Sequence, residues 1–264
     1  MIIKPLSKRT NILFAFFLFT ISSSWSQEKG KIDLFNQKNL DGWYTYIKGR
    51  GTNDDPKKVF TVANKKIRVS GEEWGCITSN EEFSDYKIIV EFKWGNETFA
   101  HRKTKAMDSG LLLHSIGKDG AAGGSWMYSI ECNLIEGGTG DFIVVGDKTN
   151  DFSITSTVAS QLQNGVPVFK PNGTPKTINY GRINWINRDP KWKDELGFRG
   201  EKDLEKKVGK WNKLICIAKK DSISIFLNGK LVNQAYQVKP SKGRIQIQSE
   251  GAEIFFRRID IYPL

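Results

Sequence analysis

Two neighbouring segments carry side chains that suit proton transfer. SGLLLHS ends an apolar run on His114, one of only two histidines in the chain, and SIECNLIEGGTGDF contains Glu131, Glu136 and Asp141. An imidazole with a pKa near 6.5 can accept a proton at neutral pH, and a carboxyl group can act as acid or base. We therefore expect catalytic roles for His114 as a base and for Glu131 as an acid, with Glu136 as a further catalytic candidate.

These side chains must lie on one face of adjacent strands to act together. Period-two alternation predicts that His114 shares a face with Leu112, and that Glu131 shares a face with Asn133. Glu136 joins that face only if a β-bulge shifts the alternation, which the glycines that follow it would permit. The other interpretation of His114 is a structural histidine that is hydrogen-bonded to a neighbouring strand.

The rest of the sequence predicts an all-β fold. Many short, β-branched or aromatic runs are bounded by Gly, Asn, Asp or Pro, and FLNGKLV carries the Asn-Gly pair of a type I′ hairpin. Helical signals are limited to SQLQN and DLEKKV. Residues 161–210 form a long, Pro- and Gly-punctuated segment that contains several aromatics, and we expect a structured loop, here named the excursion. The prediction is a jelly-roll β-sandwich with one long loop excursion.

The first 26 residues predict a signal peptide. Lys4, Lys8 and Arg9 precede the apolar run ILFAFFLFTI, and small residues follow it. We expect an exported protein, periplasmic or secreted and without stable membrane insertion, with a single domain over residues 27–264. The net charge of +11 is dispersed among acidic residues, which does not favour a nucleic-acid partner. The three cysteines lie in apolar runs, and we expect them to be buried.

Several motifs, in this order, resemble the 3-keto-disaccharide hydrolase domain family. They are DLFNQKNLDGWY, DSGLLLHSIGKDGAAGGSWMYSIECNLIEGGTGDF, INWINRDPKWKDELGFRGEKDLEKKVGKWNKL, FLNGKLVN and GRIQIQSEGAEIFFRRIDIYPL. The resemblance covers about Asp33 to Leu264. It implies a concanavalin-like sandwich and the cleavage of glycosides that are already oxidised at C3 of the sugar.

The chemistry that this resemblance implies is elimination followed by hydration. A C3 ketone acidifies the C2 proton, a base removes it, and the enolate expels the group on C1 before water adds. The route needs a base, an acid for the leaving oxygen and a group that holds the enolate charge. A divalent cation would serve the last task, and carboxylates and loop carbonyls, with Glu131 as one ligand candidate, could bind Ca²⁺ or Mg²⁺.

Six residues are candidates for binding the carbohydrate. Trp126, in a Gly-rich loop between the two strand segments, would stack on a sugar ring if its indole is exposed, and Asp141 either faces the same opening or stops a turn. In the excursion, we expect four side chains to close over the sugar. They are Arg188, Trp192, Lys193 and Arg199.

Two other functions remain open at the level of the sequence. E-x-N-x-x-E differs by one residue from the E-x-D-x-x-E signature of family 16 glucanases, in which the first Glu is the nucleophile and the last is the acid/base. The middle carboxylate is absent here, which weakens that interpretation of Glu131 and Glu136. The third class is a non-catalytic carbohydrate-binding module, for which Trp126 would matter more than His114.

Overall fold

A computed structural model shows two antiparallel sheets packed face to face; it describes Met1 and residues 30–264. The predicted signal peptide lies almost entirely outside the described residues. The first nine strands, in chain order, are β1 (Ile32–Asp33), β2 (Trp43–Ile47), β3 (Gly51–Thr52), β4 (Phe60–Ala63), β5 (Lys66–Val69), β6 (Gly75–Ser79), β7 (Tyr86–Thr98), β8 (Asp108–Ile116) and β9 (Tyr128–Ile135). The remaining strands are β10 (Asp141–Val145), β11 (Ser153–Val158), β12 (Thr174–Ile178), β13 (Gly181–Ile183), β14 (Asn212–Lys219), β15 (Ser222–Leu227), β16 (Lys230–Lys239), β17 (Arg244–Ser249) and β18 (Ala252–Pro263).

The strands form one sheet of ten and one of eight. The larger sheet has the order β12-β11-β16-β15-β14-β7-β18-β5-β4, with β1 paired to β18. The smaller sheet has the order β13-β10-β9-β8-β17-β6-β2-β3. The predicted concanavalin-like jelly-roll sandwich is confirmed, since most sheet neighbours are not consecutive in the chain.

The core lies between the two sheets. Alternate residues of β8 and β9, among them Leu111, Leu113, Ile130 and Cys132, are fully buried in one hydrophobic cluster with residues of the opposite sheet. All three cysteines are buried, as the sequence predicted, and none forms a disulfide. The residues between the core positions point to the outward face of the eight-stranded sheet, where the polar side chains collect.

Two local predictions have opposite outcomes. The FLNGKLV hairpin is confirmed, because Asn228 and Gly229 both adopt positive φ angles, 50° and 85°, between β15 and β16. The helices expected at SQLQN and DLEKKV are absent, and the described residues contain only one short 3₁₀ helix, Ala100–Arg102. No helix in this part of the chain is long and apolar enough to cross a membrane.

The excursion is more regular than predicted. It contributes β12 to the edge of the ten-stranded sheet and β13 to the edge of the eight-stranded sheet. Strand β13 pairs with β10 with Ile183 opposite Phe142. The turn between β12 and β13 therefore stands beside the outward face of the smaller sheet and can carry side chains to it.

Candidate functional site

A cavity of about 500 Å³ opens on the outward face of the eight-stranded sheet. Its walls come from β8, β9, β10, β13, the residues at the end of β17 and the loop before β9. The lining side chains are those of Arg102, Asp108, Ala121, Ala122, Trp126, Tyr128, Glu131, Asn133, Ile143, Val144, Val145, Tyr180, Arg182, Gln248 and Glu250. This volume lies within the usual range for small-molecule sites.

Two carboxyl groups in the cavity are joined by one amide. Asn133 Nδ2 donates to Glu131 Oε1 at 2.9 Å and to Asp108 Oδ1 at 3.1 Å. The predicted shared face of Glu131 and Asn133 is thus confirmed. Strand pairing explains the arrangement, because Gly110 of β8 lies opposite Asn133 and Leu112 lies opposite Glu131.

Gly110 leaves the space in which the polar groups converge. A Cβ atom at this position would lie 2.6 Å from Glu131 Oε1 and would also overlap the side-chain oxygen of Gln248. Gln248 Oε1 is buried and has no hydrogen-bond partner among the described residues. A protonated Glu131 carboxyl could donate to this oxygen, which an ionised carboxylate cannot do.

Two guanidinium groups bring positive charge to these carboxyls. Arg102, which is 8% exposed, pairs with Asp108 and lies 3.7 Å from Glu250. Arg182 of β13 also lines the cavity, and its Nη1 lies 3.3 Å from Asp141 Oδ2. Both can therefore face an anionic ligand or intermediate.

Burial raises the pKa values of the cavity carboxyls by different amounts. It raises the pKa of Glu131 to about 8, and the nearby Asp108 adds to the increase. Burial raises the pKa of Asp108 to about 6, against the opposing effect of Arg102. The pKa of Glu250 is also well above its ordinary value, because of burial and then because of Asp108 and Glu131. These pKa values, about 6 for Asp108 and about 8 for Glu131, favour an ionised Asp108 beside a protonated Glu131 near pH 7, a combination that can supply both a base and an acid.

His114 does not lie in this cavity, so the predicted juxtaposition with Glu131 is wrong. A bulge between Leu113 and Ile116 breaks the alternation, and His114 has a φ of 54°. Its ring packs edge-on against Tyr86 of the opposite sheet, with 5.7 Å between centroids, and Nδ1 is 2.8 Å from Pro240 O. The side chain is 1% exposed, and burial lowers its pKa. The structural interpretation of this histidine fits the geometry.

Glu136 is likewise outside the cavity lining. It follows the last residue of β9, and its Oε2 accepts a 3.0 Å hydrogen bond from the Gly197 backbone N–H in the excursion. The bulge that would have brought it beside Glu131 does not occur in β9, whose pairing with β8 is regular from Ile135 to Ile130. The expected pair of catalytic glutamates is therefore not assembled.

Trp126 lies where the sequence predicted. It is half-buried, lines the cavity, and stacks on Trp74 with 5.5 Å between ring centroids and 27° between ring planes. Its Nε1 donates to Gly75 O at 3.1 Å. The indole is therefore fixed in place and presents a ring to the cavity.

Asp141 has a structural position rather than a place in the cavity lining. It is fully buried, and its Oδ1 accepts a 2.8 Å hydrogen bond from the Trp185 backbone N–H. Its Oδ2 also lies 3.1 Å from Arg188 Nη1. Asp141 therefore binds the backbone at Trp185 and positions the guanidinium of Arg182. Its link to the cavity is this contact with Arg182, which lines the cavity.

The four excursion side chains expected over the sugar all point elsewhere. The Arg188 guanidinium lies over the ring of Trp192 at 3.8 Å, and Trp192 Nε1 donates to Glu136 O at 3.0 Å. Lys193 is exposed, and Arg199 forms ion pairs with Asp203 and Glu205. The prediction for Arg188, Trp192, Lys193 and Arg199 is wrong for this cavity, because none of the four lines it. Arg188 and Trp192 instead connect the excursion to the sandwich, through Asp141 and Glu136.

The residues that sequence reasoning missed come from three separated segments. Arg102 precedes β8, Arg182 lies in β13, and Gln248 and Glu250 lie at the end of β17. The alternation in GRIQIQSE was a usable signal, since it places Gln246 and Gln248 on one face. For Arg102 and Arg182 no periodicity was available, because the 3₁₀ helix and strand β13 that carry them are each only three residues long.

A divalent cation has no evident ligand set in the described part of the chain. No group of three or more His, Cys, Asp or Glu side chains there is arranged to hold a metal ion. Three carboxyls do line the cavity, but Arg102 already pairs with Asp108 and lies close to Glu250. The Ca²⁺ or Mg²⁺ expectation thus remains a prediction.

Comparisons with known proteins agree with the sandwich architecture. The model of the 3-keto-alpha-glucoside-1,2-lyase-like domain matches residues 30–262. Two crystal structures of candidate glycosyl hydrolases from Parabacteroides distasonis are similar in fold. The first is 15% identical with a TM-score of 0.53, covering 89% of this chain and 94% of that chain; the second is 18% identical with a TM-score of 0.52, covering 89% and 99%. A Bacillus licheniformis β-glucanase is 14% identical with a TM-score of 0.45, covering 90% and 100%. Among curated proteins, none matches the sequence significantly.

Proposed function

Because the chain belongs to the 3-keto-α-glucoside-1,2-lyase-like domain family, we propose that it cleaves 3-keto-glycosides by elimination and subsequent hydration. The family places the chain among carbohydrate-active proteins. The observation that carries the finer proposal is the Asn133 bridge, which joins the carboxyl groups of Asp108 and Glu131 in one cavity. Their pKa values, about 6 and about 8, support Asp108 as the base and Glu131 as the acid. Elimination needs this combination of a base and an acid.

The roles follow from the protonation states. Asp108 removes the proton from C2 of the keto sugar, and the electron pair moves into the enolate of the C3 ketone. The C1–oxygen bond then breaks, and Glu131 gives its proton to the departing oxygen. Water adds across the resulting C1–C2 double bond and regenerates a 3-keto sugar. Arg182 is the candidate for holding the enolate charge, since a guanidinium remains cationic throughout.

The experiment measures release of the leaving group from both anomers of a 4-nitrophenyl 3-keto-glucoside, with and without added Ca²⁺ or Mg²⁺. Wild-type protein should release nitrophenol faster than a protein-free blank. Asp108→Asn should abolish the acceleration, and Glu131→Gln should lower it by about 10²- to 10⁴-fold, the usual contribution of general acid–base groups.

Glu136→Gln is the matched control, because this glutamate lies outside the cavity. It should retain activity under the proposal, whereas a retaining glucanase with Glu131 and Glu136 as its pair requires its loss. No release above the blank from either anomer, with or without cation, would remove the proposal. Binding without any cleavage would instead support a carbohydrate-binding module.

We also propose that the protein is exported, as the amino-terminal pattern in the sequence suggests. N-terminal sequencing of the protein recovered outside the cytoplasm should find cleavage near Ser26. Retention of the intact chain in the cytoplasm would contradict export.

A further inference from the structure

The cavity has two zones that differ in burial and polarity. Its floor consists of buried polar groups, with Asp108, Glu131, Asn133 and Gln248 each no more than 5% exposed. The rim is half-buried or exposed and mostly apolar. The rim residues are Ala121, Ala122, Gly123, Trp126, Tyr128, Ile143, Val145 and Tyr180.

Tyr180 is the most unusual residue of this rim. It is 58% exposed and is the one aromatic among the large exposed hydrophobic residues of the described chain. It lies in the turn between β12 and β13, where the Lys148 ammonium group is 4.8 Å from its ring centroid. Asn179 Nδ2 donates to Lys148 O at 2.8 Å, and Gly181 has a φ of 87°. These contacts hold the turn in place, and with it the Tyr180 ring, at the mouth of the cavity.

The rim offers few side-chain hydrogen bonds. The Trp126 indole N–H is occupied by Gly75 O, so this residue presents only its ring to a ligand. Ala121, Ala122, Ile143 and Val145 have no polar side-chain atoms. A pyranose could stack its C–H face on Trp126 or Tyr180, but only the Tyr128 and Tyr180 hydroxyls of the rim side chains could pair with its several hydroxyl groups. A flat aromatic group would bury its faces against the same rings and would need no such partners.

We propose that the rim binds the leaving group of the glycoside, that this group is aromatic, and that Tyr180 is a specificity-determining residue for it. The proposal rests on the proposed function, in which the polar floor binds the 3-keto sugar. The keto sugar, with its hydroxyl groups, matches the floor, and an aryl group attached at C1 reaches the rim within the same cavity of about 500 Å³.

The test is calorimetric binding in the Glu131→Gln background, which slows turnover. The ligands are the 4-nitrophenyl, methyl and glucosyl 3-keto-glucosides. We expect the aryl compound to bind more tightly than the other two. Adding Tyr180→Ala should raise the Kd of the aryl compound by about tenfold, the upper range for one aromatic contact, and leave the Kd of the methyl compound within about twofold.

Tyr180→Phe and Tyr236→Ala are the controls. Tyr180→Phe keeps the ring and should preserve aryl binding, and Tyr236 lies on β16 of the other sheet. An unchanged aryl Kd in the Tyr180→Ala protein, an equal loss for the methyl compound, or tighter binding of the glucosyl compound overturns the proposal. A wild-type protein that binds the aryl ligand through Tyr180 but cleaves no 3-keto-glycoside supports the rim assignment and contradicts the proposed function alone.

Discussion

Replacing Glu131 with glutamine should stabilise the protein at pH 8 while it removes a catalytic group. The pKa of Glu131 rises from 4.5 to about 8 on folding, mainly because of burial. Below pH 4.5 the carboxyl is protonated in both the folded and the unfolded states. Between pH 4.5 and 8 the unfolded chain loses this proton while the folded protein retains it, so the free energy of unfolding falls as pH rises.

The size of this effect follows from the same values. One pKa unit is worth about 1.4 kcal/mol, so ionisation of Glu131 lowers the free energy of unfolding by on the order of 5 kcal/mol at pH 8 and above. Glutamine resembles the protonated carboxyl in shape and cannot ionise. Glu131→Gln should therefore be more stable than wild type at pH 8, with a Tm higher by roughly 10 °C, and nearly equal to it at pH 4.5.

The assay is urea unfolding followed by tryptophan fluorescence at pH 5, 6.5 and 8. Asp108 and Glu205 also have raised pKa values because they are buried, so wild-type stability should fall with pH for several reasons. The difference between wild type and Glu131→Gln isolates the contribution of Glu131. Glu91→Gln, on β7 of the other sheet, is the control and should follow the wild-type pH dependence. Equal pH slopes for wild type and Glu131→Gln would refute the reasoning.

Three further predictions concern the cavity and its surroundings. Gly110→Ala should lower kcat/KM by about 10²-fold, because the added Cβ would lie 2.6 Å from Glu131 Oε1, inside van der Waals contact, and would displace that carboxyl. Circular dichroism should show an intact fold. His114→Asn, which tolerates a positive φ, should keep kcat/KM within about threefold while it lowers the urea midpoint; a loss of activity equal to that of Asp108→Asn would return His114 to the mechanism. The plot of kcat/KM against pH should be bell-shaped, rising with the Asp108 pKa of about 6 and falling with the Glu131 pKa of about 8, and a monotonic profile would contradict these roles.

The sequence predicted the sandwich because its signal is repeated in nearly every segment. The alternation of Ile130, Cys132 and Leu134 with Ser129, Glu131 and Asn133 identifies a two-faced strand, and Asn228-Gly229 identifies the hairpin between β15 and β16. The same alternation correctly predicted that Glu131 and Asn133 lie on one face of β9. It did not identify Asp108 as a site residue, because this aspartate stands at the first position of β8, where alternation alone does not say which way a side chain points.

The errors all occur where the backbone leaves regular geometry. A bulge in β8 turned His114 from the outward face to the core, and a positive φ at that residue is not readable from a strand pattern. In the excursion, aromatic and basic residues suggested a cover for the sugar, but Arg188 and Trp192 pair with each other and with the sandwich. The excursion reaches the cavity through Tyr180 and Arg182 instead, because β13 adds to the edge of the smaller sheet.

In the proposed reaction, cleavage begins with removal of the C2 proton of a 3-keto sugar. The most direct measurement is the competition between a 3-keto-glucoside with hydrogen at C2 and the same compound with deuterium there, followed by mass spectrometry of the remaining substrate. If the C2 proton is removed first, wild-type protein should consume the protiated compound faster and leave the unoxidised glucoside intact. Equal consumption of the two isotopic forms, together with cleavage of the unoxidised glucoside, would contradict the proposed reaction.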